Sequence, residues 1–316
     1  MPRPVSVVIP HARATSRLQR CVASLSSDRI LEILVVLPES AAKSVQMLER
    51  HENVRAVQTP TLVSFASATN LGASVATGEI LMLLNDDTIV QAGAIEQMAD
   101  ALISEPEVGI AGALLLNTDG SVQPSMYVDP SWRAVVEVVA QPLFRRWPLR
   151  RYANFPYLEM PKPTPQNAWL SGAALMISRQ LYQEVGGLDE GYPHGIEDAA
   201  LCRAVRERGR QVVIVTDARI VHEGGVSGFR TENDSDQVAA ALVKGTEGWI
   251  RYWRAYRNGG WGSILALRAA FFFFGVSRLA VFVIMAAAIR GRRGEAHRVR
   301  RNAYRRYVHL MLALRR

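Results

Sequence analysis

The chain has 316 residues, 49% of them hydrophobic and 21% charged, which provides for a large buried core and excludes a wholly disordered chain. Its net charge of +8 is concentrated in one place: residues 290–316 carry ten arginines against Glu295, a net +9, so the remainder sums to −1. This speaks against a basic groove for nucleic acid, which spreads cations and aromatics over a fold, and suits a basic block beside an apolar segment facing anionic lipid.

In chain order, residues 4–10 and 31–37 are β-branched runs of buried-strand length, with Leu18, Cys21, Val22 and Leu25 at helical spacing between them. The first run stops at Pro10, too short for the core of a secretion signal, so the start of the chain is expected in the cytoplasm. Cys21 and Cys202 are the only cysteines and both lie in helical patterns, without the spacing of a disulfide framework or a zinc site. Residues 54–57 read as a short strand, 65–76 as a helix ended by Gly78, and 79–84 as a buried strand running into Asn85-Asp86-Asp87-Thr88. A helix over 92–104 follows and stops before Pro106. This alternation predicts an α/β fold with a mainly parallel sheet flanked by helices.

Further along, 108–116 reads as a strand with a turn at Asp119-Gly120, and 124–167 as an excursion over a site, with a helix over 132–147. Residues 169–178 form an apolar run, followed by helices at 179–185 and 197–208 and a strand at 211–216. Residues 235–257 should be helical. The segment 264–289 has spanning length but carries Arg268 and Arg278, so it is expected to lie in a membrane interface, anchored by the arginine tail. A true span and a helix packed on the protein are the alternatives. The expected division is a catalytic domain at 1–233 and a C-terminal helical, membrane-associated appendage at 234–316.

Three groups are candidates for chemistry. Asn85-Asp86-Asp87 follows an apolar strand, where open α/β sheets bind ligands; adjacent carboxylates there suit a divalent ion gripping a diphosphate. The plainer alternative is a helix cap formed by Asp87 or Thr88. Glu197-Asp198 opens a helix, where acidic residues are ordinary, but a glycine-rich stretch from Gly186 to Gly195 leads into it. His222, in Val221-His222-Glu223-Gly224-Gly225, comes directly after a strand.

Taken together, VSVVIP at 5–10, SFASATNLGASVATGEILMLLNDDT at 64–88, SGAALMISRQLYQEVGGLDEGY at 171–192, EDAALCRAVRERG at 197–209 and DARIVHEGG at 217–225 resemble a family 2 glycosyltransferase of GT-A fold, in the branch of bacterial rhamnosyltransferases of cell-surface polysaccharides. The resemblance implies that Asp87 and His222 hold Mg²⁺ or Mn²⁺ on the donor diphosphate, with Asp86 supporting that shell. It implies Asp198 as the general base and Glu197 as an orienting partner. The donor would be held by Pro10, His11, Glu39, Asn70, Asn85 and Asp86, with Trp169 and Gly172 shaping the acceptor side. The implied partners are a dTDP- or UDP-linked sugar, a lipid-linked glycan acceptor and an anionic membrane surface on the cytoplasmic side; no nucleic acid is expected. One departure stands out: the second strand ends Val35-Val36-Leu37-Pro38-Glu39, where family members commonly carry a base-recognising aspartate; Glu39 lies two positions beyond that place.

Two other readings compete. A sugar-phosphate nucleotidyltransferase also pairs a nucleotide-binding sheet with a metal aspartate, but residues 10–17 lack the glycines of a triphosphate loop. The other is a non-catalytic membrane-docking scaffold with a degenerate transferase domain.

Overall fold

In the computed structural model the described residues are 3–12, 15–41, 52–136, 167–193, 195–223, 234–257, 259–289 and 291–313. They belong to two units, one of Met1–Tyr127, Leu158–Gly191 and Glu197–Gly224, the other of Val128–Tyr157, Tyr192–Ile196 and Gly225–Arg316.

The first unit is organised by strands with no polar face to show to water. Every residue of β4 (Ile80–Leu84) and β6 (Val108–Leu116) is buried, as are Val5 to Ile9 of β1 (Val5–Pro10). Such strands are stable only between two layers of helix. With β2 (Ile30–Pro38), β3 (Val54–Thr59), β5 (Thr88–Val90), β9 (Ala174–Ser178) and β10 (Gln211–His222) they form an eight-stranded sheet, in the order β3-β2-β1-β4-β9-β6-β10-β5. A separate two-stranded ribbon joins β7 (Met126–Val128) to β8 (Ala168–Leu170). The mainly parallel GT-A-type sheet read from the sequence is present. Neighbouring β3, β2, β1 and β4 are parallel, as are β6 and β10, while β9 enters antiparallel between β4 and β6, and β5 runs antiparallel on β10.

Helix α1 (Thr15–Ser24) buries Leu18, Cys21 and Val22. Helix α2 (Phe65–Val75) is built from small residues because it lies hard against the sheet. A Cβ on Gly72 would sit 2.5 Å from Val8 Cγ1 and 3.0 Å from Val36 Cγ2. Its cap is Ser64, whose hydroxyl accepts from the Ser67 N–H at 3.0 Å. Helix α3 (Ala94–Ser104) starts later than the sequence suggests, behind Gly93 at φ 81°, with no side-chain cap. Neither Asp87 nor Thr88 is therefore a helix cap, because Thr88 belongs to a strand. The run 169–178 is interrupted at Ser171-Gly172-Ala173 and divides into β8 and β9. Helices α4 (Arg179–Glu184) and α5 (Glu197–Glu207) complete this unit.

The second unit is helical. Helices α6 (Ser235–Tyr256), α7 (Trp261–Ala288) and α8 (Gly291–Ala313) pack together around Tyr307, whose hydroxyl meets Thr246 Oγ1 at 2.8 Å. A Cβ on Gly275 would fall 2.7 Å from the Tyr307 ring, so that glycine sets how closely α7 and α8 approach. The apolar segment is one continuous helix. Arg268 and Arg278 are part-buried on its packed side, with Arg278 lying 5.4 Å from the Phe274 ring centroid. Its other face is uniformly apolar and exposed: Trp261, Leu265, Phe273, Val276, Val283 and Ile284. Of the expected helix over 132–147, only 132–136 lies within the described residues, where it is helical.

Candidate active site

The parallel strands deliver their carboxyl ends to one edge, and β9, running the other way, begins there. Ala174 pairs with Leu84, so the Ser171-Gly172-Ala173 turn falls beside the loop that follows β4. The Ala173 carbonyl accepts from the Asn85 N–H at 3.0 Å, and the Gly172 N–H donates to Asp198 Oδ2 at 2.9 Å. Two successive residues of one turn thus hold the Asn85-Asp86-Asp87 loop and the Asp198 carboxylate. His222 is paired across the β5–β10 ladder with Thr88, which places it against the same loop. The three sequence-distant groups are therefore gathered at one place in the first unit.

The loop itself is braced from three sides. Thr88 Oγ1 donates to the Asn85 carbonyl at 2.8 Å, the Cys21 thiol meets the same carbonyl at 3.5 Å, and the Glu223 N–H donates to the Asp87 carbonyl at 2.9 Å. Burial pushes the Cys21 thiol up to about 12, so it packs rather than reacts.

Within this frame the two aspartates face different partners. Asp86 Oδ2 accepts from Nδ1 of His11, 2.6 Å away on a nearly inaccessible side chain (1% exposed). Asp87 Oδ1 lies 3.2 Å from Nε2 of His222, and Asn85 Nδ2 lies 3.3 Å from the same nitrogen. The tautomer of His222 follows from Gln123. The Gln123 Nε2 donates to Asn117 Oδ1 and to the His222 carbonyl, both at 3.1 Å, so its Oε1 is the acceptor for His222 Nδ1–H at 2.6 Å. Nε2 is then the electron-rich nitrogen, pointing at a carboxylate oxygen. One positive charge reconciles them, either a proton on Nε2 or a metal ion, so this donor pair fits a divalent cation. Burial pushes the Asp87 carboxyl up, but the hydrogen bond and charge of His222, with the charge of Arg17, outweigh it and hold Asp87 below the ordinary carboxylate range.

On the other side, Asp198 accepts from Gly172 N–H and, through Oδ1, from its neighbour Ala199 N–H at 2.9 Å. These two bonds favour its ionised form, while burial pushes the carboxyl up, with burial the stronger. Glu197 is raised further, by burial and then by the Asp198 charge, and its Oε2 has no hydrogen-bond partner among the described residues. With two backbone donors on Asp198 and none on Glu197 Oε2, Asp198 is the better stabilised carboxylate of the pair and Glu197 the one that more readily stays neutral. Ile196, directly before this pair, is the one non-glycine among the described residues with a left-handed backbone, at φ 74°. A β-branched residue there stores about 1–3 kcal/mol of strain, as functional segments often do.

The remaining expected residues fall in different settings. Pro10 ends β1, paired with Val36 of β2, and Glu39 is exposed just beyond the end of β2. Trp169 is buried and stacked on Tyr127 with ring centroids 4.5 Å apart. Gly172 lies against Asp198, where an added Cβ would be 3.4 Å from Asp198 Cβ. Asn70 has all four hydrogen-bonding positions engaged within the chain: Oδ1 accepts from Tyr182 Oη and Leu188 N–H, and Nδ2 donates to the Leu188 carbonyl and Glu190 Oε1. It holds the glycine-rich approach to Asp198 at its Gly187-Leu188 end. His194, Gly224 and Gly225 lie outside the described residues. Sequence reasoning missed Gln123, the partner of His222, which the Asp119-Gly120 turn folds back against β6 through a Gln123 N–H to Leu115 carbonyl bond of 2.8 Å.

Comparison with known proteins shows the family and the fold. Glycosyl transferase family 2 matches residues 6–186, more than half of the chain, and the chain belongs to that family. A Mycobacterium tuberculosis protein described as N-acetylglucosaminyl-diphospho-decaprenol L-rhamnosyltransferase is 29% identical over 260 residues, covering 77% of this chain and 81% of the relative. The O-antigen biosynthesis protein RfbC of Myxococcus xanthus is 26% identical over 272 residues, covering 80% of this chain but only 19% of that protein. Two solved structures share the fold at 15% identity. The mannosyltransferase PcManGT from Pyrobaculum calidifontis, in complex with GDP-Man and Mn²⁺, has a TM-score of 0.56 and covers 99% of this chain and 87% of its own. GalNAc-T7 with UDP, GalNAc and Mn²⁺ has a TM-score of 0.55, covering 87% of this chain and 55% of its own. The protein is a GT-A glycosyltransferase similar to bacterial rhamnosyltransferases.

Proposed function

We propose that the chain transfers a hexose, rhamnose by analogy with the mycobacterial relative, from a dTDP- or UDP-linked donor to a lipid-linked glycan, with inversion at the anomeric carbon. The observation that carries this reading is the 172–173 turn, whose Gly172 N–H holds Asp198 and whose Ala173 carbonyl holds the Asn85 N–H at the start of the loop that carries Asp87. Asp198 removes the proton from the acceptor hydroxyl, a contribution of about 10²–10⁴-fold for a positioned base. Glu197, holding its own proton, orients the acceptor without competing for that role. Asp87 and His222 would hold Mg²⁺ or Mn²⁺, with Asp86, steadied by His11, beside them. When bound, such an ion neutralises charge on the departing diphosphate. Pro10, Asn85 and Glu39, at the carboxyl edge of the sheet, would meet the nucleoside, while the buried His11 acts through Asp86. A single base acting on the acceptor calls for one displacement and no covalent sugar intermediate.

The test is a nucleotide-sugar panel scored by calorimetric binding and by turnover, with and without Mn²⁺. Donor binding that requires the metal is the expected result. A protein that binds no sugar nucleotide under either condition would instead be a non-catalytic scaffold; release of pyrophosphate from a nucleoside triphosphate and a sugar phosphate would favour nucleotidyl transfer.

The same reading places the protein on the cytoplasmic face of the membrane through its second unit, with the catalytic part at 1–233 and the appendage at 234–316. The exposed face of α7 is apolar along its whole length, its two arginines lie on the packed side, and α8 supplies the basic residues that anionic lipid attracts. Burying an apolar side chain is worth about 1.5–3 kcal/mol, so Phe273→Glu combined with Ile284→Glu should weaken binding to anionic vesicles by more than about tenfold. Both side chains are exposed, so the fold should be untouched. Undiminished co-sedimentation of this double variant with vesicles would remove the face as the docking surface.

A further inference from the structure

Beside the metal loop lies a cation that none of the roles above employs. Arg17, on α1, follows the carboxyl end of β1 and approaches Glu223 Oε2 with its Nε at 3.9 Å, too far for a hydrogen bond. The Glu223 carboxylate is already taken by Arg20, through Nε to Oε1 at 3.1 Å and Nη2 to Oε1 and Oε2 at 2.8 and 2.7 Å. Glu223 in turn holds the backbone of Asp87 through its N–H. Arg17 is thus placed by charge at the Asp87 loop, 31% of its side chain accessible, with no hydrogen bond to any described residue. Its field reaches Asp87, whose carboxyl it helps to keep ionised.

We propose that Arg17 is a direct contact for the donor diphosphate, a guanidinium that works beside the metal pair and takes up charge on the leaving group; this rests on the transferase reading above. The chemistry favours it. When the bond between the anomeric carbon and the β-phosphate oxygen breaks, its electron pair stays on that oxygen and the diphosphate gains a further negative charge. A planar guanidinium with free N–H donors matches two phosphate oxygens at once, which a carboxylate-bound arginine such as Arg20 does not. Arg20 therefore acts as the brace that occupies Glu223 and leaves the Arg17 guanidinium, among the described residues, without a hydrogen-bond partner.

The experiment is calorimetry on the full-length protein with UDP and dTDP in Mn²⁺, alongside UMP, dTMP and Mn²⁺ alone. Arg17→Gln should weaken binding of the preferred diphosphate by about tenfold or more, as expected for the loss of charge-assisted bonds. Monophosphate binding should be little changed, and Arg17→Lys should recover part of the loss. Mn²⁺ alone should bind as well or better, because a positive charge near Asp87 has been removed. Unchanged diphosphate affinity in Arg17→Gln would overturn the proposal. So would equal losses for mono- and diphosphate, or weakened Mn²⁺ binding, since these would make Arg17 a strut for the 85–88 loop. If the wild-type protein bound neither diphosphate, the transferase reading itself would fall, a result distinct from a defect confined to the variant.

Discussion

Asp198→Asn is expected to lower sugar transfer by about 10²–10⁴-fold, the usual contribution of a positioned general base, while metal-dependent nucleotide binding survives. The substitution keeps the volume of the side chain but removes its capacity to take a proton. It also leaves one of two backbone donors, Gly172 N–H or Ala199 N–H, facing an amide nitrogen. That local mismatch costs about 1–3 kcal/mol, so retained nucleotide binding is the control that separates lost chemistry from lost folding. The wild-type pH profile should carry the same signature. Because burial raises the Asp198 carboxyl, its ionised form is lost as pH falls through a value above the ordinary carboxylate range, and turnover should fall with it. Glu197→Gln should leave the position of this acid limb nearly unchanged, since the raised Glu197 carboxyl is already neutral there. Turnover close to wild type in Asp198→Asn would move the base to another residue.

The residues proposed to carry this chemistry stand out in the sequence because each sits where a strand or helix pattern changes. Asp86 and Asp87 end an apolar run, Asp198 opens a helix, and His222 ends a strand. The contacts that orient them were not legible, because they depend on pairings between distant segments. Residues 169–178 read as one apolar stretch; that it breaks at Gly172 and returns antiparallel is decided by the partners Leu84 and Gly112, about sixty to ninety positions back. The pattern starts α3 at 92, two residues early, because periodicity does not show that Gly93 takes a left-handed backbone and opens the helix at Ala94. Helical spacing on α1 identified its buried side, Leu18, Cys21 and Val22, but says nothing of what its polar side meets, and Arg17 and Arg20 meet a residue some two hundred positions away. The apolar segment at 264–289 posed the opposite difficulty. Its two arginines argue against a span by composition, whereas position on the helix is what matters, and both are on the packed side.

Asp87→Ala should remove the metal dependence of nucleotide binding, so that affinity in Mn²⁺ falls to that measured without it. The loss should exceed the roughly 10–100-fold typical for removing a group that merely supports a metal ligand. The physical reason lies in the charge balance of the loop. Asp87 is the carboxylate aimed at His222 Nε2, whereas Asp86 is committed to His11. Without Asp87, the remaining nitrogen ligand has no anionic companion, and Arg17 repels a divalent ion instead of being offset. Gln123→Ala provides the graded comparison. It keeps both proposed ligands but frees the His222 ring to change tautomer, and should cost within about 10–100-fold in metal affinity. Asp86→Ala should fall between the two if Asp86 only steadies the loop. The order Asp87 > Asp86 ≥ Gln123 in lost Mn²⁺ affinity follows from which atoms face the electron-rich gap beside His222. An order with Asp86 first would relocate the ion to the His11 side of the loop, and Asp87 would then be the carboxylate that holds His222 in place.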